Sequence, residues 1–541
     1  MNLLKTASFC LLGLALAALY GCTSNKSTTS GHPRPPGADL AQVPSWSKAD
    51  MDFFLHGSMS TEIIPEKVLQ AFILTYPEVF PTSDFSHLGA IPDPSFGWPV
   101  GFSRTKVSHL ANQPSIGINC AACHVGEIST SADAPRVRVL GMTSHFDAEA
   151  FFGSILTATF LTQNPTNMHR FLVNYLVVNG AQSDGTDVML LNGRWAQQAD
   201  RIKAALAADP GGSEGLTAGA LNKLAADDLK LNHEALADNS DLAALSHSFL
   251  RLFHNTRTCL HFPDQAPDPT KLPPPSGPGR NDAFGLLSAV LFGTPQPYAP
   301  VKYGLVWNVD QRHWVHWDGN TQSPLGRNLL ASVGLGAPLM GKHAEMDFAK
   351  VKHQTDLSEK IHAPKYPWSI DAAMAARGAV QFEAKCASCH GGAESDARLY
   401  SPSEIGTQPD RAVNFTRDQA DHFDTFLATL ETPGYKPSDV PGIRSTQKYW
   451  AASLQGVWAR SPYLHNGSVR TMAELLTPPA DRAKSFHRGS RIYDAEQMGY
   501  TDAGLFVLDT GIPANDRAGH NYGTDLDSTQ KRELIEYLKT L

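Results

Sequence analysis

The pattern Cys-x-x-Cys-His occurs twice, in INCAACHVG at residues 118–126 and in AKCASCHGG at residues 384–392. Nothing else in the chain restricts what it can fold into so strongly. Cys-x-x-Cys-His is the attachment site of a c-type haem. Two thiols add across the two vinyl groups of the porphyrin, so both must leave the backbone one turn apart on the same side. The histidine that follows projects over the ring and can ligate the iron. The first copy thus offers Cys120, Cys123 and His124, and the second Cys386, Cys389 and His390. A zinc knuckle would need four ligands per site, and no second cysteine pair lies near either motif. A redox dithiol would have no use for a histidine in both copies. Two covalently attached haems, with iron on His124 and His390, are the expected cofactors.

The chain has seven cysteines in 541 residues, so three remain outside the motifs: Cys10, Cys22 and Cys259. Lys5 precedes an apolar run from Ala7 to Leu19, too short to span a bilayer and of signal-peptide length. The run ends in Leu19-Tyr20-Gly21-Cys22, which resembles the lipobox of bacterial lipoproteins, where the cysteine is acylated. Tyr20 is unusual in such a box, and cleavage by the ordinary signal peptidase is the alternative. Residues 23–44 are rich in Ser, Thr, Pro and Gly and read as a flexible tether. Residues 1–22 are therefore expected to be a signal peptide with lipidation at Cys22. The protein is then exported, periplasmic or at the cell surface, and held to a bacterial (outer) membrane by its lipid anchor alone. Cys259 is expected to be a buried, inert thiol. The net charge of −8, from 45 basic and 53 acidic residues without a basic stripe, argues against nucleic acid as a partner.

The two motifs sit in different contexts. Before the second, SIDAAMAARGAVQFEAK offers Ser369 or Asp371 as an N-cap and then a helix. At the carboxyl end, DLDSTQKRELIEYLKTL offers Asp527 with Gln530 as a capping box and Leu534, Ile535, Leu538 and Leu541 on one face. Two such helices would cross, with Gly378 allowing close approach to the Tyr537/Leu538 face. Around the first motif, Pro/Gly-rich loops are followed by one long apolar helix over 147–178, a helical stretch over 196–255 and a proline-dense link. The expected fold is mainly α, with two cytochrome c-like haem domains, extensive irregular loops and a helical elaboration of the first. The boundaries fall at 45–365, an elaborated domain with the active haem, and 368–541, a domain with the electron-transfer haem.

RSPYLHNGSVRTMAELL (460–476) resembles the carboxy-terminal haem signature of the dihaem cytochrome c peroxidase superfamily. HWVHWDGNTQSPLGRNLLASVGLGA (313–337), LLTPPADRAKSFHRGSRIYDAEQMGY (475–500) and AGHNYGTDLDSTQKRELIEYLKTL (518–541) are closer to the dihaem rubber oxygenases and fatty-acid dioxygenase-like cytochromes within it. That resemblance implies an open, oxygen-binding haem on His124, and a second haem closed by His390 and His520. It places Trp314, Trp317, Asn320 and Arg327 in the distal pocket or on the path between haems. For the two tryptophans a plain core role is the competing reading. For His520 the competing reading is a surface loop histidine. His465 reads as a hydrogen-bonded residue near a haem edge. The peroxidase relatives carry a methionine ligand beyond His-Asn-Gly-Ser-Val, where this chain has Pro479, and Met472 lies too close to His465 to match.

Three functions follow as expectations. The first is a dioxygenase inserting O2 at a carbon–carbon double bond of a hydrophobic alkene, a polyisoprenoid or an unsaturated fatty acid. The second is a peroxidase reducing H2O2, and the third a dihaem electron carrier without catalysis. A small redox protein or another electron donor is the expected partner.

Overall fold

The computed structural model describes residues 38–110, 112–162, 165–178, 274–294, 296–392 and 398–541. The expected signal peptide with Cys10 and Cys22, residues 23–37 of the tether, the stretch 196–255 and Cys259 lie outside the described residues. Helix outweighs strand, 39% to 14%. Among the described residues the longest strands, Phe102–Lys106 and Pro114–Ile118, have only five residues each.

The first Cys-x-x-Cys-His motif is a single helical turn, Cys120–His124, between two small sheets. Its N-cap is Asn119, whose side chain accepts from the Ala121 N–H while its amide donates to the Phe54 and Gly57 carbonyls. Pro114–Ile118, entering the turn, pairs antiparallel with Phe102–Lys106; Val125–Ile128, leaving it, pairs antiparallel with Val137–Leu140. Gly101, at φ 86°, lets the chain pass against the motif. A Cβ there would stand 2.0 Å from the Ala122 nitrogen.

Two expectations are corrected around this motif. The tether does not run loose to residue 44: Ala38–Asp39 pairs parallel with Val137 and Arg138. Asp39 accepts from Arg138 at 2.5 and 2.7 Å, and buried Gln42 bonds Leu140 and the His362 carbonyl. These side-chain contacts are invisible to composition. The apolar stretch 147–178 is two helices, Ala148–Leu161 and Pro165–Val178. Pro165 has no N–H to extend a preceding helix and starts the second one instead.

Around the second motif the expected helices form. Ala372–Lys385 is capped by Asp371, which accepts from the Ala373 and Met374 N–H groups. Ser528–Leu538 is opened by the Asp527/Gln530 capping box. They cross at Gly378, where a Cβ would lie 1.9 Å from the Glu533 carbonyl oxygen and 2.9 Å from Tyr537 Cβ. The motif itself follows as the short helix Ala387–His390.

Packing does not respect the position of the expected boundary near residue 366. One apolar cluster joins Phe54, Leu140 and Trp307 to Phe382, Trp458 and Leu538. Another joins the helices Ala283–Phe292, Pro324–Gly334 and Phe348–Ser358 to Phe415, Phe423 and Ile443. A third, rich in phenylalanine, lies wholly in the amino-terminal part.

Candidate haem sites and the cavity they share

Both motifs open onto one cavity of about 650 Å³. Cys120, Cys123 and His124 line it, and so do Cys386, Cys389, His390 and His520. No disulfide joins these four cysteines. Burial pushes the Cys123 thiol up to about 12 and the Cys386 thiol to about 11. Each motif presents to the cavity what attachment of a c-type haem requires: two cysteine thiols and an imidazole.

At the second site two imidazoles lie close to one another on the cavity. His390 donates from Nδ1 to the Ala452 carbonyl at 2.7 Å. That bond fixes the tautomer and leaves Nε2 for a metal. The ring of His520 lies opposite, centroid to centroid 6.3 Å. Two metal–imidazole bonds of about 2 Å each plus two half-rings come to about this separation, so the pair fits an iron between them. His520 is held at φ 52°, with its N–H on the Ile405 carbonyl and its own carbonyl accepting from Arg482. Its Nδ1 is buried without a partner, and burial pushes its pKa down to about 4, so the ring is neutral and able to ligate.

The first site is built differently. Burial pushes His124 down to about 3, again the neutral form, and its ring meets Tyr303 edge-on at 6.4 Å. Among the described residues no histidine ring stands to His124 as His520 stands to His390. Apolar helices contribute to the shared lining: Phe152, Ile155 and Leu156 from Ala148–Leu161, Leu287 from Ala283–Phe292, and Leu330 and Ala331 from Pro324–Gly334. Ala283–Phe292 is apolar on all sides because one side packs into the core and the other faces the cavity.

The remaining expected residues divide. Arg327 lines the cavity near Cys120. Trp317 lines it too, its Nε1–H donating to the Lys302 carbonyl and its ring lying 5.5 Å below the Lys302 ammonium. Trp314 is absent from the lining and carries the Arg444 guanidinium on its face at 3.6 Å. Asn320 is fully buried, also outside the lining, and accepts from Thr321. His465 lines the cavity and bonds the Tyr449 hydroxyl at 3.1 Å while stacking on its ring. Three further groups went unnoticed in the sequence. His316 and Glu149 line the cavity, and Arg411 clasps Asp318 bidentately at 2.9 and 3.1 Å in the interior. The block HWVHWDGN contains His316, but its tryptophans drew the attention. Glu149 lies in an apolar helix with no motif to mark it.

Residues 448–487 match the model of a family described as RoxA-like, cytochrome c-like. The match supports kinship with the rubber oxygenase-like c-type cytochromes and implies covalently bound haem and haem-dependent oxidoreductase chemistry. The RoxA-like segment contains Tyr449, Trp450, Arg460 and His465, all on the cavity wall. Two uncharacterized proteins of Sinorhizobium fredii are also similar. The chain is 29% identical to y4iM over 324 residues, 51% of this chain and 73% of the relative. It is 24% identical to y4iJ over 612 aligned positions, 92% of each.

Proposed function

We propose that this protein is a dihaem c-type cytochrome in which the His124 site is catalytic and the His390/His520 site stores or delivers electrons. The observation that carries this is the asymmetry of the two sites. A histidine faces His390 at 6.3 Å, whereas no described histidine ring stands so to His124, and apolar helices contribute to the lining of the cavity it faces. An electron-transfer haem is served by two strong ligands, and an oxygen-activating haem by a vacant position in a dry pocket.

The favoured reaction is dioxygenation of a carbon–carbon double bond in a hydrophobic alkene, a polyisoprenoid or an unsaturated fatty acid. Haem bound at Cys120 and Cys123 would supply the binding and activation of dioxygen. Both oxygen atoms can end in two carbonyl products, so the step balances without an outside reductant. Phe152, Ile155, Leu287 and Leu330 would take up the alkene chain and exclude water. Export and lipid anchoring through Cys22 belong to the same proposal; no described helix is long and apolar enough to cross a membrane.

Peroxide reduction is the second reading, favoured by one feature. Glu149 lines the cavity, and burial and its neighbour Asp147 push its carboxyl up to about 7, a pKa suited to general acid–base work. Ser276 donates to it at 2.7 Å and lies 2.5 Å from the Tyr298 hydroxyl, so a hydrogen-bonded chain leads to the carboxyl.

Absorption and EPR spectra of the purified holoprotein, as isolated and after dithionite, test the reading. One low-spin haem and one haem that binds carbon monoxide are expected. Unsaturated fatty acid or polyisoprene should then yield products carrying both atoms of labelled dioxygen. Turnover with peroxide alone would establish the peroxidase. Two low-spin, unreactive haems would leave an electron carrier.

A further inference from the structure

We propose that His316 is the distal residue of the first haem, donating a hydrogen bond to dioxygen held on the face opposite His124. The inference rests on the reading of the first site as open. His316 and His124 both line the cavity. His124 leans on Tyr303, while His316 meets Phe284 edge-on at 5.0 Å. Burial, then the cations Arg411 and Arg327, and then His124 disfavour charge on the His316 ring. Yet no ring contact like that of His390 with His520 joins the two imidazoles, which suits a donor to a bound ligand better than a second axial ligand.

A merely structural histidine would have its ring nitrogens satisfied. Nε2 of His316 is buried with no hydrogen-bond partner, a cost that a purely structural histidine ordinarily avoids. The backbone is strained as well, with φ 74° at a non-glycine residue. Surrounding contacts hold that conformation. Val315 bridges Thr321, and the Gly319 N–H returns to the His316 carbonyl at 3.3 Å. The next four carbonyls are each engaged: Trp317 by the Trp450 N–H, Asp318 by the Thr446 hydroxyl, Gly319 by Arg444 Nε and Asn320 by the Arg444 N–H. A loop fixed this firmly presents His316 in one orientation, which is what stabilising a bound oxygen requires.

The test uses the holoprotein and the variants His316→Leu, which removes the donor, and His316→Gln, which keeps one. Carbon monoxide on the reduced first haem reports the distal donor through its C–O stretching frequency. Wild type should show the lowest frequency, His316→Leu the highest and His316→Gln a value between them. Dioxygen should leave the His316→Leu protein about tenfold faster or more, as expected for a lost hydrogen bond to a partly charged acceptor. An unchanged low-spin signal from the second haem certifies that the variants fold. Identical frequencies and off-rates in wild type and His316→Leu would overturn the inference and leave the open first site standing. Failure of the wild-type first haem to bind carbon monoxide would overturn the open-site reading and this inference with it.

Discussion

Glu149 and Asp147 are carboxyls in surroundings that penalise their charged forms. Burial raises Asp147 to about 6 and Glu149 to about 7. The folded protein therefore keeps both protons after the unfolded chain has released its own near pH 4. Stability is greatest below the unfolded values and falls as pH rises through the window from about 4 to about 7. For Glu149 the fall is at most about 3–4 kcal/mol, from 1.36 kcal/mol per unit. Glu149→Gln should flatten much of this dependence. Denaturant midpoints of the holoprotein and variant at pH 5 and pH 7 check it; parallel slopes would count against a buried, protonated Glu149. The residue scale is also where sequence legibility divides most sharply. Both motifs declared themselves because covalent haem attachment demands fixed spacing. His520 was read through a resemblance, and the structure sets it opposite His390. His316 and Glu149 were not legible, because what marks them is an unpaired nitrogen, a strained φ and a desolvated carboxyl, all products of the folded surroundings.

At the scale of elements, the crossing of Ala372–Lys385 with Ser528–Leu538 was readable because caps are local: Asp371, Asp527 and Gln530 act within three residues of themselves. Gly378 makes a sharp prediction about it. In an exposed helix, Gly→Ala stabilises by about 1 kcal/mol. Here the added methyl would meet the Glu533 carbonyl oxygen at 1.9 Å, which is backbone and cannot rotate away. Gly378→Ala should therefore destabilise, by about 1–3 kcal/mol as in other overpacked contacts. A lowered chemical-denaturation midpoint with haem attachment at Cys386 and Cys389 intact is the expected result; a raised midpoint would show that the helices can part at little cost. The strands were not readable. Segments of two to five residues, such as Ala38–Asp39, are too short to show a period of two, and their pairing is decided by distant partners. The division of residues 147–178 into two helices was visible in Pro165, but the apolar run on either side outweighed it.

For the whole molecule, the question is whether the two haem sites behave as one body. A single apolar cluster reaches from Phe54 to Leu538, and a second binds the helices around the first site to Phe415, Phe423 and Ile443. The ion pair of Arg411 with Asp318 lies in the interior, its side chains 5% and 1% exposed. Asp318 belongs to the same fixed loop as His316 and Trp317, and Arg411 stacks over Phe284 at 4.7 Å. Arg411→Met would leave a carboxylate buried without its partner, a change that costs about 3–5 kcal/mol. If the shared clusters make the two regions one cooperative unit, the Soret signals of both haems and the far-ultraviolet dichroism should shift together to lower denaturant. If the regions are independent, only the signals of one haem should shift, and two transitions should separate. The first outcome is expected, because neither region can open without exposing a cluster to which the other contributes. It would also mean that the loop carrying His316 is held in register by residues surrounding the second haem, so that the conformation of one site is set in part by the other.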